Sequence, residues 1–392
     1  MKSIFKNTVL FIVIFASGCQ AQNDRLMLGI EQMEQYNPLL SEKNIGIVAN
    51  ASSVIANRKG VYTHLVDSLL SKGISVKAVF APEHGFRGTA ANGDIIADEF
   101  DEKSNLPIYS LHGKDFKPSS DQLKDIDIML FDLQDVGLRF YTYISTLHYV
   151  MEACAEQGIP LIILDRPNPN GFYVDGPILD SAHQSFVGMH PVPIVYGMTI
   201  GEYAQMINGQ KWLKDEITCD ITVVSLKNYA HQTRYTLPLR PSPNLRTPKS
   251  INLYPSLCLF EGTDISVGRG TDQPFEIFGS PSLSKSNFVF SFTPISQQGA
   301  TNPPHLGKQC FGKDLSQTAD LSMIRLDWLV ETYQDYKQQR LPFFNNYFDK
   351  LAGNSSLRSA IERGDSVQSI YDSWKEGLDQ FKVIRSKYLI YD

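Results

Sequence analysis

The sequence lacks the short motifs that usually identify a cofactor or a nucleophile. Ala51-Ser52-Ser53 follows the first apolar run of the mature chain, where a dinucleotide-binding protein would have G-x-G-x-x-G. The sequence also has no G-x-S-x-G elbow, no P-loop and no H-E-x-x-H. These absences argue against an α/β-hydrolase serine, a P-loop nucleotide site and a zincin metal site. We therefore expect neither a cofactor nor a bound metal.

Basic residues and cysteines are also scarce. The formal net charge is -6 and no basic stripe is present, which argues against a nucleic-acid partner. The 392 residues include only 5 cysteines, and no C-x-x-C spacing occurs. We expect the four cysteines after Cys19 to be buried as small apolar side chains. One disulfide is the alternative in an oxidising compartment.

Long hydrophobic runs are missing as well, since the apolar run from Val9 to Ala16 is too short to span a membrane. Lysines precede this run and Ala16-Ser17-Gly18-Cys19 ends it, as in an export signal. The pattern predicts a lipoprotein signal peptide over residues 1–18, with lipid attached to Cys19. An ordinary signal peptide cut near Ala21 is the alternative. The protein would be periplasmic and would contact a membrane only through the lipid anchor.

The remaining chain has the pattern of an α/β fold. Continuous apolar runs at 44–50, 76–81, 126–133 and 159–164 alternate with helices predicted at about 60–73 and 142–157. Such alternation indicates a parallel sheet covered by helices on both faces. Thr199 and Glu202 form a T-x-x-E box that predicts the start of a further helix. Beyond about Lys214 proline and glycine become frequent, so we predict two domains, over 23–215 and 216–392.

Polar residues follow each of the four predicted strands. Ligands of an open parallel sheet bind outside the carboxyl ends of its strands, where a carboxylate can act as a general acid or base. The residues at these ends are Asn50; Glu83, His84 and Arg87; Asp132, Asp135 and Arg139; and Asp165, Arg166 and Asn168. The pattern favours carboxylate chemistry in a polar cleft, but it does not by itself select glycoside hydrolysis.

Each of these groups also has a structural interpretation. His84 can be a turn histidine, Asp165 and Arg166 can form an ion pair, and the two aspartates after the third strand can cap a helix. Arg139, which precedes two aromatic residues, can belong to the core. An arginine beside aromatic rings also suits a sugar that carries a carboxylate. The loop Gly268-Arg269-Gly270-Thr271-Asp272 allows both interpretations equally.

Several long motifs resemble the exo-β-N-acetylmuramidase family of the NamZ type. The resemblance extends from about residue 26 to the C-terminus, and its motifs are long and specific. They include APEHGFRGTA (81–90), DLQDVGLRFYTYISTLHYVMEAC (132–154), LDRPNPNG (164–171), GMHPVPIVYGMTIGEYAQMING (188–209), RPSPNL (240–245) and LYPSLCLFEGTDISVGRGTDQPFE (253–276).

The resemblance implies a Rossmann-like N-terminal domain, an auxiliary C-terminal α/β domain and an active-site cleft between them. It also implies a hydrolase that releases N-acetylmuramic acid (MurNAc) from the non-reducing end of peptidoglycan-derived glycan. Glu83 is the implied catalytic carboxylate, and Asp132 and Asp135 are candidates for its partner because of their position at strand ends. The predicted substrate-binding residues are His84, Arg87, Arg139, Tyr141, Asn168, Arg269 and Asp272.

Two other function classes fit the sequence. One is a periplasmic lipoprotein that binds muropeptide fragments without cleaving them, which turnover of a chromogenic MurNAc glycoside would eliminate. The other is a metal-dependent hydrolase that uses His84 with Glu83 and an aspartate. Activity that survives exhaustive chelation would eliminate the second class.

Overall fold

The structure is a computed structural model that describes residues 25–57, 59–87 and 98–392. The predicted signal peptide, residues 1–18, and Cys19 lie outside the described residues. The strands are β1 (Asn44–Ala49), β2 (Val54–Ala56), β3 (Tyr62–His64), β4 (Ser75–Ala81), β5 (Glu99–Asp101), β6 (Leu106–Ser110), β7 (Ile128–Asp132), β8 (Leu161–Leu164), β9 (Ile221–Val224), β10 (Ile277–Ser280), β11 (Phe290–Phe292) and β12 (Cys310–Asp314). The helices are α1 (Met33–Leu40), α2 (Leu65–Ser71), α3 (Ser120–Leu123), α4 (Tyr143–Gln157), α5 (Ile200–Gly209), α6 (Pro248–Leu257), α7 (Asp327–Gln339), α8 (Phe348–Ala352), α9 (Ser356–Arg363) and α10 (Val367–Arg385).

The central sheet has the strand order β5-β6-β4-β1-β7-β8-β9. All neighbouring strands are parallel except β5 and β6, which are antiparallel. The parallel strands therefore follow the order of a Rossmann fold, in which the chain starts in the middle and builds outward in both directions. The order reverses at β1, so the carboxyl ends of β1, β4 and β7 border a crevice. We call this edge of the sheet the rim.

The apolar runs in the sequence form the buried strands of this sheet. Every residue of β7 and β8 is buried, as expected where helices cover both faces of a parallel sheet. The predicted capping box is also present, since Thr199 accepts a hydrogen bond from the backbone N–H of Glu202 and Glu202 reaches back to Thr199. The predicted α/β fold with a Rossmann-like sheet is confirmed.

The boundary predicted at residue 215 does not coincide with the end of this sheet. β9 pairs in parallel with β8, with Leu161 opposite Ile221, and so adds a strand beyond the boundary. The sequence does indicate a strand at Ile221–Val224, but the turn-rich composition after Lys214 led to its assignment to the second domain. The first unit therefore continues past Val224.

The C-terminal region adds a second α/β layer. It contains the antiparallel sheet β10-β12-β11 and helices α6 to α10. Residues of both regions, such as Phe131 and Trp328, belong to one apolar cluster. The end of the chain also returns to the first sheet, where the Tyr391 hydroxyl donates to Asp165 at 2.6 Å. The two regions are thus packed through a common core.

The four described cysteines form no disulfide. Cys154, Cys219, Cys258 and Cys310 are buried and free, in agreement with the expectation of small apolar side chains. Within the described ranges, no helix combines the length and apolar character needed to span a bilayer.

Candidate active site

A cleft of about 370 Å³ lies between the rim and the C-terminal region. Its walls come from the loop after β4, the start of α4, the segment around Phe186, and residues that follow α6. The lining residues are Glu83, His84, His112, Phe140, Tyr141, Thr142, Tyr143, Phe186, Val187, Ser242, Leu245, Tyr254, Cys258, Glu261, Arg269, Phe275, Tyr347 and Leu351.

Glu83 enters the cleft from a tight turn directly after β4. The backbone N–H of Gly85 donates to the carbonyl of Pro82 at 3.0 Å and closes the turn. His84 occupies the third position of this turn with φ of 73°, a region that costs a non-glycine residue on the order of 1 kcal/mol or more. The turn therefore holds a strained histidine beside a half-buried glutamate. Of the described non-glycine residues with positive φ, His84 and Phe275 line the cleft.

The Glu83 carboxylate is oriented by Thr142. The Thr142 hydroxyl donates to Glu83 Oε2 at 2.9 Å. Thr142 is the N-cap residue of α4, yet its side chain makes no capping hydrogen bond with the helix. A threonine at this position ordinarily accepts a bond from the first turn of the helix. Its hydroxyl contacts the cleft carboxylate instead.

Glu261 supplies the second carboxylate of the cleft. Among the described lining residues, Glu83 and Glu261 are the carboxylates. Arg269 Nε donates to Glu261 Oε1 at 2.6 Å, and Nη2 donates to Oε2 at 3.2 Å. Burial lowers the pKa of Arg269, but the contact with Glu261 outweighs burial and raises it overall. This bidentate pair fixes the position of Glu261.

Tyr347 is a further polar residue of the cleft wall. Burial raises the pKa of the Tyr347 hydroxyl, and the negative charges of Glu261 and Glu83 raise it further. Arg269 acts in the opposite direction. Tyr347, Glu83 and Glu261 all line the same cleft. A pair of carboxyl groups in one cleft can divide the acid and the nucleophile or base roles of hydrolysis.

Aromatic rings line the cleft. Tyr254 packs edge to face against Phe140 and Phe275, with centroids 5.3 and 4.8 Å apart. Phe186, another lining residue, stacks on Phe116 and Tyr149 outside the lining, with centroids 4.2 and 6.3 Å apart. These three stacked rings are only half-buried. Such surfaces suit the apolar faces of sugar rings.

Four residues predicted from the sequence line the cleft. These are Glu83, His84, Tyr141 and Arg269. Tyr141 also donates through its hydroxyl to the carbonyl of Pro241 at 2.7 Å, so it joins the cleft wall to the following loop. The predicted roles of these four residues remain predictions, but their common location is now established.

Asp132 and Asp135 do not line the cleft, which corrects their assignment as candidate partners of Glu83. Asp132 is fully buried and accepts two hydrogen bonds from Arg166, at 2.6 and 2.8 Å. Asp135 accepts bonds from the Tyr196 hydroxyl and the backbone N–H of Gly137. The strand ends do bring both aspartates to the rim, but their side chains are used inside the protein.

Arg139 is also absent from the cleft lining, contrary to the prediction that it binds the substrate. Its guanidinium is buried and donates to the carbonyls of Pro177, Val192, Leu351 and Ala352 at 2.7–3.0 Å. These bonds hold α8 against the first region. The sequence pattern of arginine beside aromatic residues thus reflects a structural arginine.

The other predicted binding residues also lie outside the cleft. Asn168 donates to the carbonyl of Met198 at 2.8 Å and supports a buried turn. Arg87 pairs with Asp101 at 2.7 Å and lies over the Phe86 ring. Asp272 is exposed on the surface. The structure therefore does not support a role for these three residues in the cleft.

Sequence reasoning missed Glu261, His112, Phe186 and Tyr347. Glu261 lies within the motif LYPSLCLFEGTD, which carries the family resemblance, so the motif itself was the available signal. No strand-end argument could find it, because it follows a helix of the second region.

The metal-dependent alternative would require a third ligand beside Glu83 and His84. In the part of the chain that the structure describes, no group of three or more histidine, cysteine, aspartate or glutamate side chains could hold a metal ion.

The two carboxylates and the aromatic rings in a cleft beside a Rossmann-like sheet fit the class of glycoside hydrolases. Comparisons with known proteins agree with this class. The chain matches the family model described as exo-β-N-acetylmuramidase NamZ, N-terminal, over residues 45–249, and its C-terminal counterpart over 252–391. The chain belongs to the exo-β-N-acetylmuramidase NamZ family.

Individual relatives cover nearly the whole chain. The peptidoglycan β-N-acetylmuramidase NamZ of Bacillus subtilis (strain 168) is 39% identical over 390 residues, which is 95% of this chain and 92% of the relative. A crystal structure of a DUF1343 family protein from Bacteroides fragilis NCTC 9343 has a TM-score of 0.86 and 45% identity. A second such protein from that organism has a TM-score of 0.78 and 27% identity. Each of these alignments covers 94% of this chain and 99% of the other.

Proposed function

We propose that this protein is an exo-acting hydrolase that releases MurNAc from the non-reducing end of peptidoglycan glycan fragments. The observation that carries the proposal is the presence of Glu83 and Glu261 in one aromatic-lined cleft. The Bacillus subtilis relative, named as a peptidoglycan β-N-acetylmuramidase, supports the choice of substrate.

In this proposal Glu83 is the general acid. In its protonated form it delivers a proton to the glycosidic oxygen as the bond to the sugar breaks. The Thr142 hydroxyl at 2.9 Å and the tight turn after β4 restrict the motion of its side chain. A fixed acid needs little reorganisation when the reaction occurs.

Glu261 is the negatively charged partner in the proposal. Its bidentate contact with Arg269 orients both carboxylate oxygens. From this position a carboxylate can stabilise the positive charge that develops on the sugar ring. The separation of the two carboxyl groups around the bound sugar then decides whether water is activated or the anomeric carbon is attacked.

The decisive experiment compares three substrates with the purified protein: MurNAc-GlcNAc, an aryl MurNAc glycoside and an aryl GlcNAc glycoside. We expect release of MurNAc from the disaccharide and colour from the aryl MurNAc glycoside. The Glu83→Gln variant is the matched negative control. Tight binding of muropeptide fragments without turnover of either MurNAc substrate would favour the non-catalytic binding protein.

We also propose that lipid on Cys19 holds the protein at a membrane facing the periplasm. The supporting feature is Ala16-Ser17-Gly18-Cys19 at the end of the predicted signal peptide. An anchor of this kind would keep the hydrolase near its cell-wall substrate. Cell fractionation of Cys19→Ser should move the protein from the membrane to the soluble fraction. Unchanged membrane association would contradict the proposal.

A further inference from the structure

A second pocket adjoins the cleft and has an unusual charge. It measures about 340 Å³ and shares His84 and Ser242 with the cleft. Its walls also include Arg240 and Arg246 and, among the described lining residues, no carboxylate. We call it the arginine pocket. Its positive charge contrasts with the formal net charge of -6 of the whole chain.

The two arginines of this pocket differ from the other arginines near the site. Arg269 is neutralised by Glu261, and Arg87 pairs with Asp101. Arg139 is fully buried among carbonyl groups. By contrast, no ion pair joins Arg240 or Arg246 to another residue within the described ranges. The arginine pocket is therefore where a carboxylate from a ligand would find uncompensated positive charge.

Arg246 is held in place by the protein backbone. Its Nε donates to the carbonyl of Pro243 at 3.0 Å, and Nη1 donates to the carbonyl of Thr271 at 3.3 Å. A guanidinium has five N–H donors, so these bonds leave donors for a ligand. Gln297, another wall residue, donates to the same Thr271 carbonyl at 2.6 Å. Arg240 is exposed at the pocket edge.

We propose that the arginine pocket binds the lactyl carboxylate of the MurNAc ring whose glycosidic bond lies at Glu83. This inference rests on the proposed function and identifies how that site distinguishes MurNAc from N-acetylglucosamine (GlcNAc). The lactyl ether is the group that MurNAc carries and GlcNAc lacks. His84 lines both the cleft and the arginine pocket, so one sugar can place its ring in the first and its carboxylate in the second.

The turn with positive φ at His84 connects the two pockets. With φ of 73° at His84, the turn places Glu83 in the cleft and His84 at the junction with the arginine pocket. A relaxed residue at this position would change the direction of the chain between the acid and the junction. The turn thereby joins the residue proposed as the acid to a residue that lines the arginine pocket.

The test compares kcat/KM for aryl MurNAc and aryl GlcNAc glycosides in the wild type and in the Arg240→Gln/Arg246→Gln double variant. We expect the MurNAc value to fall roughly 10- to 100-fold, as for lost hydrogen bonds to a charged group. The GlcNAc value should change by less than about 3-fold, since GlcNAc has no carboxylate to lose. Arg340→Gln, which alters an exposed arginine outside both pockets, should leave both values unchanged.

A neutral substrate sharpens the test. An aryl MurNAc methyl ester should be a poor substrate for the wild type, and its kcat/KM should barely change in the double variant. Arg246→Lys, which keeps the charge, should recover part of the MurNAc preference. Arg240→Gln alone removes a side chain that makes no hydrogen bond within the described residues, so its effect on selectivity is free of a folding defect.

The outcomes separate this inference from the proposed function. If the wild type cleaves aryl MurNAc but the double variant keeps the same MurNAc-to-GlcNAc ratio, the arginine pocket does not read the carboxylate. Equal cleavage of the acid and its methyl ester by the wild type would also overturn the inference. If the wild type cleaves no MurNAc glycoside at all, the proposed function fails and this inference fails with it.

Discussion

The rim aspartates and the cleft glutamates use the same chemical group in opposite ways. Asp132 and Asp165 are fully buried, and each accepts at least two hydrogen bonds from fixed protein partners. Glu83 and Glu261 line an open cleft. The rim aspartates and Glu83 follow strands of the parallel sheet, at the edge where ligands bind, whereas Glu261 reaches the cleft from the second region. A strand end therefore brings a carboxylate to this edge of the sheet, but burial decides whether the carboxylate supports the fold or faces the cleft.

We expect the largest effect, a loss of activity, from Glu83→Gln in the cleft. Glutamine keeps the shape of the side chain but has no proton to transfer. General acid catalysis contributes roughly 100- to 10,000-fold, so kcat/KM on MurNAc-GlcNAc should fall by about that factor. An aryl leaving group needs less protonation, so the loss on an aryl MurNAc glycoside should be smaller.

Glu362→Gln is the matched control, because Glu362 is an exposed glutamate outside the cleft. Its activity and the thermal stability of both variants should match those of the wild type. Equal losses on the disaccharide and the aryl substrate would instead assign Glu83 a nucleophilic or positioning role. The comparison of the two carboxylate sets would survive that result, but the proposed acid would not.

The second largest effect should be a loss of stability, caused by Asp132→Asn at the rim. The change leaves the buried Arg166 cation without its counter-charge, which costs about 3–5 kcal/mol. The free energy of unfolding, measured with urea, should fall by that amount, while kcat of the protein that remains folded changes little. A double change to apolar residues, Asp132→Leu/Arg166→Met, should recover much of the loss.

A loss of activity without a loss of stability would contradict the distinction between rim aspartates and cleft glutamates. If Asp132→Asn remained as stable as the wild type and lost 100-fold or more in kcat, a rim aspartate would belong to the catalytic machinery.

A smaller effect should appear in the pH dependence of stability. Burial raises the pKa of Asp135 from 3.8 to about 6, and hydrogen bonds from Tyr196 and Gly137 only partly offset it. Between about pH 4 and pH 6 the folded protein therefore keeps a proton that the unfolded chain releases. The contribution of Asp135 to stability is present below pH 4 and is lost as pH rises through 6, on the order of 1–3 kcal/mol.

Asp135→Asn should remove this contribution. Its unfolding free energy relative to the wild type should rise by on the order of 1–3 kcal/mol as pH increases from 4 to 7. Asp272→Asn changes an exposed aspartate and should show no such trend. Parallel pH profiles for Asp135→Asn and the wild type would mean that the rim does not hold Asp135 in a desolvated environment.

These contrasts explain how far the sequence could predict the molecule. Continuous apolar runs made β1, β4, β7 and β8 recognisable, because strands buried on both faces leave no other pattern. The predicted sheet in turn gave the position of the rim, and the motif that carries the family resemblance identified Glu83. The partners of Asp132 and Arg139 could not be predicted, because Arg166 lies 34 residues away from the first and the carbonyl of Ala352 lies 213 residues away from the second. The arginine pocket could not be predicted either, because its wall combines residues as far apart in the sequence as Asn50 and Gln297.

We expect the smallest effects from changes to two threonines at helix N-termini. One of them contacts a rim aspartate and the other contacts a cleft glutamate. Thr199 caps α5, accepts from the Glu202 N–H at 3.3 Å and donates to the rim residue Asp165 at 2.7 Å. Thr142 caps α4 without a side-chain capping bond and donates to Glu83 at 2.9 Å. Thr199→Val should therefore cost about 1–2 kcal/mol of stability and leave kcat nearly unchanged.

For Thr142→Val we expect the opposite result, a lower kcat with nearly unchanged stability. It removes no capping bond, so stability should stay within about 0.5 kcal/mol of the wild type. It does remove a hydrogen bond to the Glu83 carboxyl, so kcat should fall roughly 3- to 10-fold with KM nearly constant, in line with about 1 kcal/mol for such a bond. Thr142→Ser keeps the hydroxyl and should restore kcat. If Thr142→Val loses stability like Thr199→Val and keeps its kcat, the Thr142 hydroxyl supports the helix. The turn at Pro82 to Gly85 would then hold Glu83 in place without help from Thr142.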